Sequence, residues 1–212
     1  MNNTAPARTA AVITEEVINS SLHGLGAIAG IAGLIIGLIM LQGAPASYAA
    51  AFSVYGVCLI ILMLMSCLYH ALKFTRARKV FRVLDHSSIF LLIAGSYTPF
   101  VMMLYGGWTQ ALMLAFIWSI AITGITLRAA LPKLMSRYGM VVYIAMGWLG
   151  LMFIPKLGSL PPSAIWLLFA GGVFYTIGAA LLAIKRPFIH TAWHLLVIAA
   201  ALSHYLAIAQ LA

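Results

Sequence analysis

Three histidines and one aspartate stand out in this chain because ionisable side chains are scarce, with charged residues forming only 7% of the sequence. His70, Asp85, His190 and His194 each lie near an end of a long apolar stretch. If successive stretches cross a bilayer in alternating directions, all four side chains reach the same face of the membrane. Imidazole nitrogens and a carboxylate that meet at one depth are typical of a metal site.

The spacing of these residues supports a metal site. His190 and His194 are four residues apart, which places them on one helical face, as in other zinc sites. His70, from another helix, would complete a set of three imidazoles and leave one position open for water. Asp85 is the only acidic residue after position 16, and a carboxylate inside a membrane segment costs about 2.5–3.5 kcal/mol on insertion scales. Holding a metal-bound water molecule is one task that would retain it there.

Two plainer explanations stay open on the sequence alone. A histidine inside a membrane often only forms a hydrogen bond between helices. Asp85 could also pair with Arg82 or Lys79 near the interface, and this pairing would account for the carboxylate without any chemistry.

Further polar residues fall close to the same end of the apolar stretches. Ser66 lies one turn before His70 on the same helical face. His23, with Asn19 one turn before it, lies near the start of the first stretch and is a candidate for lining the same cavity.

The elements that must position these residues are membrane helices. The chain is 64% hydrophobic with a mean hydropathy of +1.08, which excludes a soluble domain of this length. Each stretch is close to the roughly 20 residues that a helix needs to cross the hydrocarbon core. We therefore predict an all-α integral membrane protein, a seven-helix transmembrane bundle over residues 20–212 that follows a short N-terminal segment, residues 1–19. The predicted spans are 20–41, 48–72, 84–105, 108–128, 138–155, 163–184 and 188–210.

The basic residues predict the orientation of the bundle. With the N-terminus in the cytoplasm, all Lys and Arg residues except Lys156 fall on the cytoplasmic side, and the C-terminus lies outside. The net charge of +9 is thus explained by topology, and no nucleic-acid partner is expected because little surface lies outside the bilayer. The basic residues assigned to the cytoplasm are Arg8, Lys73, Arg76, Arg78, Lys79, Arg82, Arg128, Lys133, Arg137, Lys185 and Arg186.

Several short motifs occur in a characteristic order: EEVIN at 15–19 with HG at 23–24, SCLYH at 66–70, LDHS at 84–87, GSYTPF at 95–100 and HTAWH at 190–194. Over essentially its whole length the chain resembles the bacterial hemolysin III proteins. That family shares a superfamily with the adiponectin and progestin (PAQR) receptors and the alkaline ceramidases.

The resemblance implies a seven-helix fold with a zinc ion near the cytoplasmic face of the bacterial inner membrane. In the family pattern His70, His190 and His194 would be direct zinc ligands. Asp85 would hold the zinc-bound water, and Ser66 would sit beside the site.

Two classes of function are compatible with such a site. The first is a zinc-dependent hydrolase that acts on a membrane lipid or a lipid-derived amide or ester, with Asp85 as general base. The second is a non-enzymatic sensor of membrane homeostasis, in which a structural zinc ties helices 2, 3 and 7 together. A lytic or pore-forming protein is disfavoured because the helices lack charged residues near their middle.

Overall fold

The computed structural model describes the backbone of residues 4–211 and the side chains of residues 10–211, so the side chain of Arg8 lies outside the described part. The described residues form no strand, and seven helical spans are long and apolar enough to cross a membrane, as predicted. The helices are α1 Thr4–Met40, α2 Ala46–Ala71, α3 Arg78–Leu104, α4 Gly107–Ala130, α5 Pro132–Gly147, α6 Pro162–Leu181 and α7 Ile189–Ala209, with a 3₁₀ segment, Trp148–Ser159, after α5.

Three helices begin earlier than the hydropathy pattern indicates. α1 starts at Thr4 rather than at residue 20, α3 at Arg78 rather than 84, and α5 at Pro132 rather than 138. Hydropathy reports where a helix enters the hydrocarbon, whereas polar residues with good helix propensity extend it into the interface. Most of the expected N-terminal segment is therefore the first part of α1.

The fifth span changes its helical form partway across. α5 ends at Gly147 and the chain continues as a 3₁₀ segment that contains Pro155. Pro155 has no backbone N–H to donate, and Gly147 has a low helix propensity at the point where α5 ends. Tyr97 of α3 donates its hydroxyl hydrogen to the carbonyls of Met146 and Gly147. This contact satisfies acceptors where the hydrogen-bonding pattern changes.

Tyrosine hydroxyls link neighbouring helices inside the bundle. Tyr55 of α2 donates to the carbonyl of Ala201 in α7 at 2.7 Å, and Tyr205 of α7 donates to the carbonyl of Gly33 in α1 at 2.9 Å. The hydrocarbon offers no competing partner, so these bonds join α1, α2 and α7.

Glycines allow neighbouring helices of the bundle to approach closely. A side chain at Gly26 of α1 would meet the sulfur of Met63 in α2 at 2.9 Å, and one at Gly178 of α6 would meet the indole of Trp193 in α7 at 2.6 Å. Such close approach without a side chain is the usual role of small residues in membrane helices.

One end of the bundle collects the polar residues. We call it the histidine end: it contains residues 16–23 of α1, the last turns of α2, the start of α3 and the start of α7. The α2–α3 connection with Arg76 lies at this end, and Lys156 lies on the 3₁₀ segment toward the opposite end. The orientation of these ends in the membrane stays a prediction from the basic residues.

That orientation can be tested by cysteine labelling in intact cells. In a protein whose free Cys58 and Cys67 are replaced, Arg76→Cys should resist a membrane-impermeant thiol reagent until the cells are permeabilised. Lys156→Cys is the matched control and should react at once, because both positions are exposed in the structure. Rapid labelling at position 76 in intact cells would contradict the predicted topology.

Candidate metal centre

The structure brings together the three histidines that the sequence singled out. His70 comes from the last turn of α2, while His190 and His194 lie on the first turns of α7. One ring nitrogen from each of the three lies within 4.8 Å of the others. The ring centroids of His190 and His194 are 4.5 Å apart, as expected for neighbours at i and i+4 on one helix.

The geometry and chemistry of this cluster fit a transition metal ion. Nε2 of His70 and Nε2 of His194 face each other at 2.9 Å. A tetrahedral ion with bonds of about 2.0–2.1 Å would hold its nitrogen ligands about 3.3–3.4 Å apart, which lies between this distance and the 4.8 Å limit of the cluster. Imidazole donors suit zinc, copper, iron and nickel. The cluster is therefore able to bind a metal, whose identity the geometry leaves open.

Asp85 lies beside the cluster, outside the group of three. It is buried in the second turn of α3 and lines the same cavity as His190 and His194. Among the described side chains, neither Arg82 nor Lys79 forms an ion pair with it, and its Oδ2 lies 3.4 Å from Nδ1 of His86. The interfacial pairing considered above does not explain the buried carboxylate.

Three predicted polar residues surround the cluster with unused hydrogen-bonding atoms. Ser66 and His23 line the cavity and are almost fully buried, yet the hydroxyl of Ser66 and both ring nitrogens of His23 have no partner within the described residues. The ring of His23 packs edge-on against His194 at 4.1 Å. Asn19 accepts a 2.7 Å hydrogen bond from Thr191. Orphaned polar atoms of this kind are unusual in a membrane interior unless water or a ligand meets them.

Sequence reasoning missed one residue that contacts the cluster, Glu16, and the partner of that residue, Lys73. Glu16 of α1 is buried, and its Oε2 lies 2.6 Å from Nδ1 of His70. Its other oxygen accepts a hydrogen bond from Lys73. Glu16 could have been found because it precedes Asn19 by three residues and His23 by seven, a spacing that places all three on one helical face.

A long apolar cavity leads away from the cluster. Its volume is about 310 Å³, and its polar end is formed by His23, Ser66, Asp85, His190 and His194. On α3 its lining runs from Asp85 to Leu104, about 28 Å at a rise of about 1.5 Å per residue. That length is close to the hydrocarbon thickness of about 30 Å.

Comparison with known proteins gives consistent results over most of the chain. A family model described as Haemolysin-III related matches residues 11–205. Hemolysin-3 of Bacillus cereus is 42% identical over 192 residues, which cover 88% of this chain and 86% of that protein. The Hemolysin-3 homolog of Bacillus subtilis (strain 168) is 33% identical over 189 residues, covering 86% and 87%. The human monocyte to macrophage differentiation factor is 26% identical over 162 residues, covering 73% and 67%.

Elemental analysis of the purified protein tests the metal site. We expect about one metal ion per chain, and nearly complete loss of that metal in His190→Ala/His194→Ala, because a single remaining imidazole cannot hold it. His204→Gln is the control, since His204 lies on the same helix but packs against Gly171, away from the cluster. Undiminished metal in the double variant would contradict the ligand assignment.

Proposed function

Because this chain belongs to the haemolysin-III related family and holds three imidazoles at the head of a long apolar cavity, we propose that it is a zinc-dependent membrane hydrolase. Its substrate is a lipid-derived amide or ester, and its site faces the cytoplasm from the inner membrane of a bacterium. The observation that carries the proposal is the position of the histidine cluster at one end of a cavity shaped for a lipid chain.

The histidines are suited to hold the ion that the reaction needs. His70, His190 and His194 would supply three neutral nitrogen ligands. A zinc ion in such a set acts as a Lewis acid and lowers the pKa of a water molecule beside it to about 7. A structural zinc is usually closed by four protein ligands, and the cluster contains three. The count favours a catalytic site over a structural one.

Asp85 has the position of a general base. It lies in the cavity wall next to the cluster without a basic Lys or Arg partner among the described side chains. A carboxylate there can orient the attacking water and accept its proton. Ser66 and His23 carry unused polar atoms at the same end of the cavity, where they can donate hydrogen bonds to the carbonyl oxygen of the substrate.

The cavity accounts for the lipid nature of the substrate. Apart from its polar end it is lined mainly by aliphatic and aromatic side chains, among them Ile93, Phe100, Leu157 and Leu168. Ligand sites typically combine such apolar walls with a few polar groups that fix the orientation. An acyl chain lying along α3 would place its amide or ester carbonyl beside Asp85.

The variant Asp85→Asn separates an enzyme from a sensor. Asparagine can still hydrogen-bond water but is a very poor base, so turnover of a ceramide-like amide panel should fall about 10²–10⁴-fold. Zinc content and Tm should change little, because the three histidine ligands remain. The measurements are turnover, bound zinc and Tm on the same preparations.

Glu15→Gln is the matched control for that experiment, because it removes one carboxylate elsewhere and should leave all three measurements unchanged. Two results together would reject the hydrolase: no turnover by the wild-type protein, and loss of zinc and thermal stability in Asp85→Asn. They would leave a non-enzymatic sensor in which Asp85 is a fourth ligand of a structural zinc.

The cavity itself is tested by Gly172→Leu. Gly172 lies on the wall contributed by α6, and a leucine there would exclude at least two methylene groups of a long acyl chain. At about 0.8 kcal/mol per methylene, kcat/KM for long-chain substrates should fall more than about tenfold, while short-chain substrates are spared. Gly172→Ala is the control, since its added carbon would lie 3.8 Å from the nearest atom. An equal loss for all chain lengths would show that the acyl chain lies elsewhere.

A further inference from the structure

The first helix contributes no histidine to the metal cluster, yet it contacts every segment that does. Glu16, Asn19 and His23 form one buried face of α1, with 8%, 1% and 2% of their surfaces exposed. Glu16 bonds to His70, Asn19 to Thr191 beside His190, and His23 packs against His194. Ionisable side chains at this depth are rare, and they usually pair with one another or serve a functional site.

Glu16 makes the most specific of these contacts. Its Oε2 lies 2.6 Å from Nδ1 of His70, and because an ionised carboxylate can only accept a hydrogen bond, the ring nitrogen would be the donor. Its Oε1 accepts from Nζ of Lys73, three residues beyond His70. Both carboxylate oxygens are thereby occupied on the side of His70 that faces away from His194.

We propose that Glu16 is the positioning residue of His70, holding its ring with the proton on Nδ1 and the lone pair of Nε2 directed at the metal. The inference rests on the proposed metal site and adds a residue that acts through a ligand. The carboxylate fixes the tautomer and the orientation of the ring. Lys73 holds the carboxylate in place and compensates its buried charge.

The remaining geometry agrees with this role. Nε2 of His70 points at Nε2 of His194 at 2.9 Å, the direction in which an ion shared by the two rings would lie. Glu16 itself is outside the group of three ligand residues. If Glu16 only anchored α1 to α2, its ion pair with Lys73 would be sufficient. The contact of its second carboxylate oxygen with the imidazole of His70 indicates an additional role.

The affinity for zinc distinguishes a Glu16 that positions His70 from a Glu16 that only anchors α1 to α2. Zinc dissociation constants are measured by competition with a chelator on the full chain in detergent, for the wild-type protein, Glu16→Gln, Glu16→Ala and Glu15→Gln. We expect affinity to fall about 10–100-fold in the two Glu16 variants, the usual cost of losing such a partner. Glu15→Gln removes the neighbouring carboxylate and should bind zinc like the wild type.

Two further measurements separate positioning from a purely structural role of Glu16. They are the Tm of the metal-free protein and the absorption spectrum of the Co²⁺-bound protein. The Tm of metal-free Glu16→Gln should stay close to that of the wild type, and the visible absorption of bound Co²⁺ should change in Glu16→Gln but not in Glu15→Gln. Unchanged zinc affinity in Glu16→Gln would overturn the proposal. A lowered affinity that is matched by a large loss of metal-free Tm would also overturn it, because anchoring would then explain both.

A second measurement needs neither metal nor a folded Glu16 variant. In the metal-free wild-type protein with ¹⁵N-labelled histidine, Nδ1 of His70 should carry a proton, with the resonance identified by its loss in His70→Gln. A His70 whose Nδ1 lacks the proton would overturn the proposal even if zinc binds. If Nδ1 carries the proton but the wild type binds no metal, the positioning contact stands and the hydrolase proposal fails.

Discussion

The hydrocarbon core of a membrane supplies no hydrogen-bond partners, so a polar side chain buried in this bundle depends on partners that the protein itself supplies. The hydroxyls of Tyr55 and Tyr205 meet backbone carbonyls of α7 and α1, and Tyr97 meets those at the end of α5. The same requirement draws Glu16 to His70. The contacts that satisfy these groups also determine which helices lie side by side.

Helices α1, α2, α3 and α7 form the histidine end because their polar residues complete one another there. The ion that we propose would replace the direct contact between His70 and His194 and bind the ends of α2 and α7 together. The carboxylates on either side would have separate tasks, since Glu16 contacts a ligand and Asp85 faces the cavity. Binding of that ion and correct assembly of these four helices would therefore be coupled.

Local patterns in the sequence are sufficient to predict the seven helices and the cluster of three histidines. Hydropathy reports each span independently, and the i, i+4 spacing of His190 and His194 is visible on a single helix. The contact of Glu16 with His70 joins residues 54 positions apart, and no local pattern states which helix faces which. Glu16 is also difficult to identify because hydropathy places it in the polar segment before the first span, whereas α1 already begins at Thr4.

The long apolar cavity also governs how the isolated protein behaves. Its walls contain apolar residues such as Ile93 and Phe100. Such walls would accept any unbranched alkyl chain, because they offer no polar group that distinguishes one chain from another. A solubilising detergent with a linear tail would therefore compete with the lipid chain that we propose for this cavity. An affinity for lipid measured on the purified protein would then depend on the detergent that surrounds it.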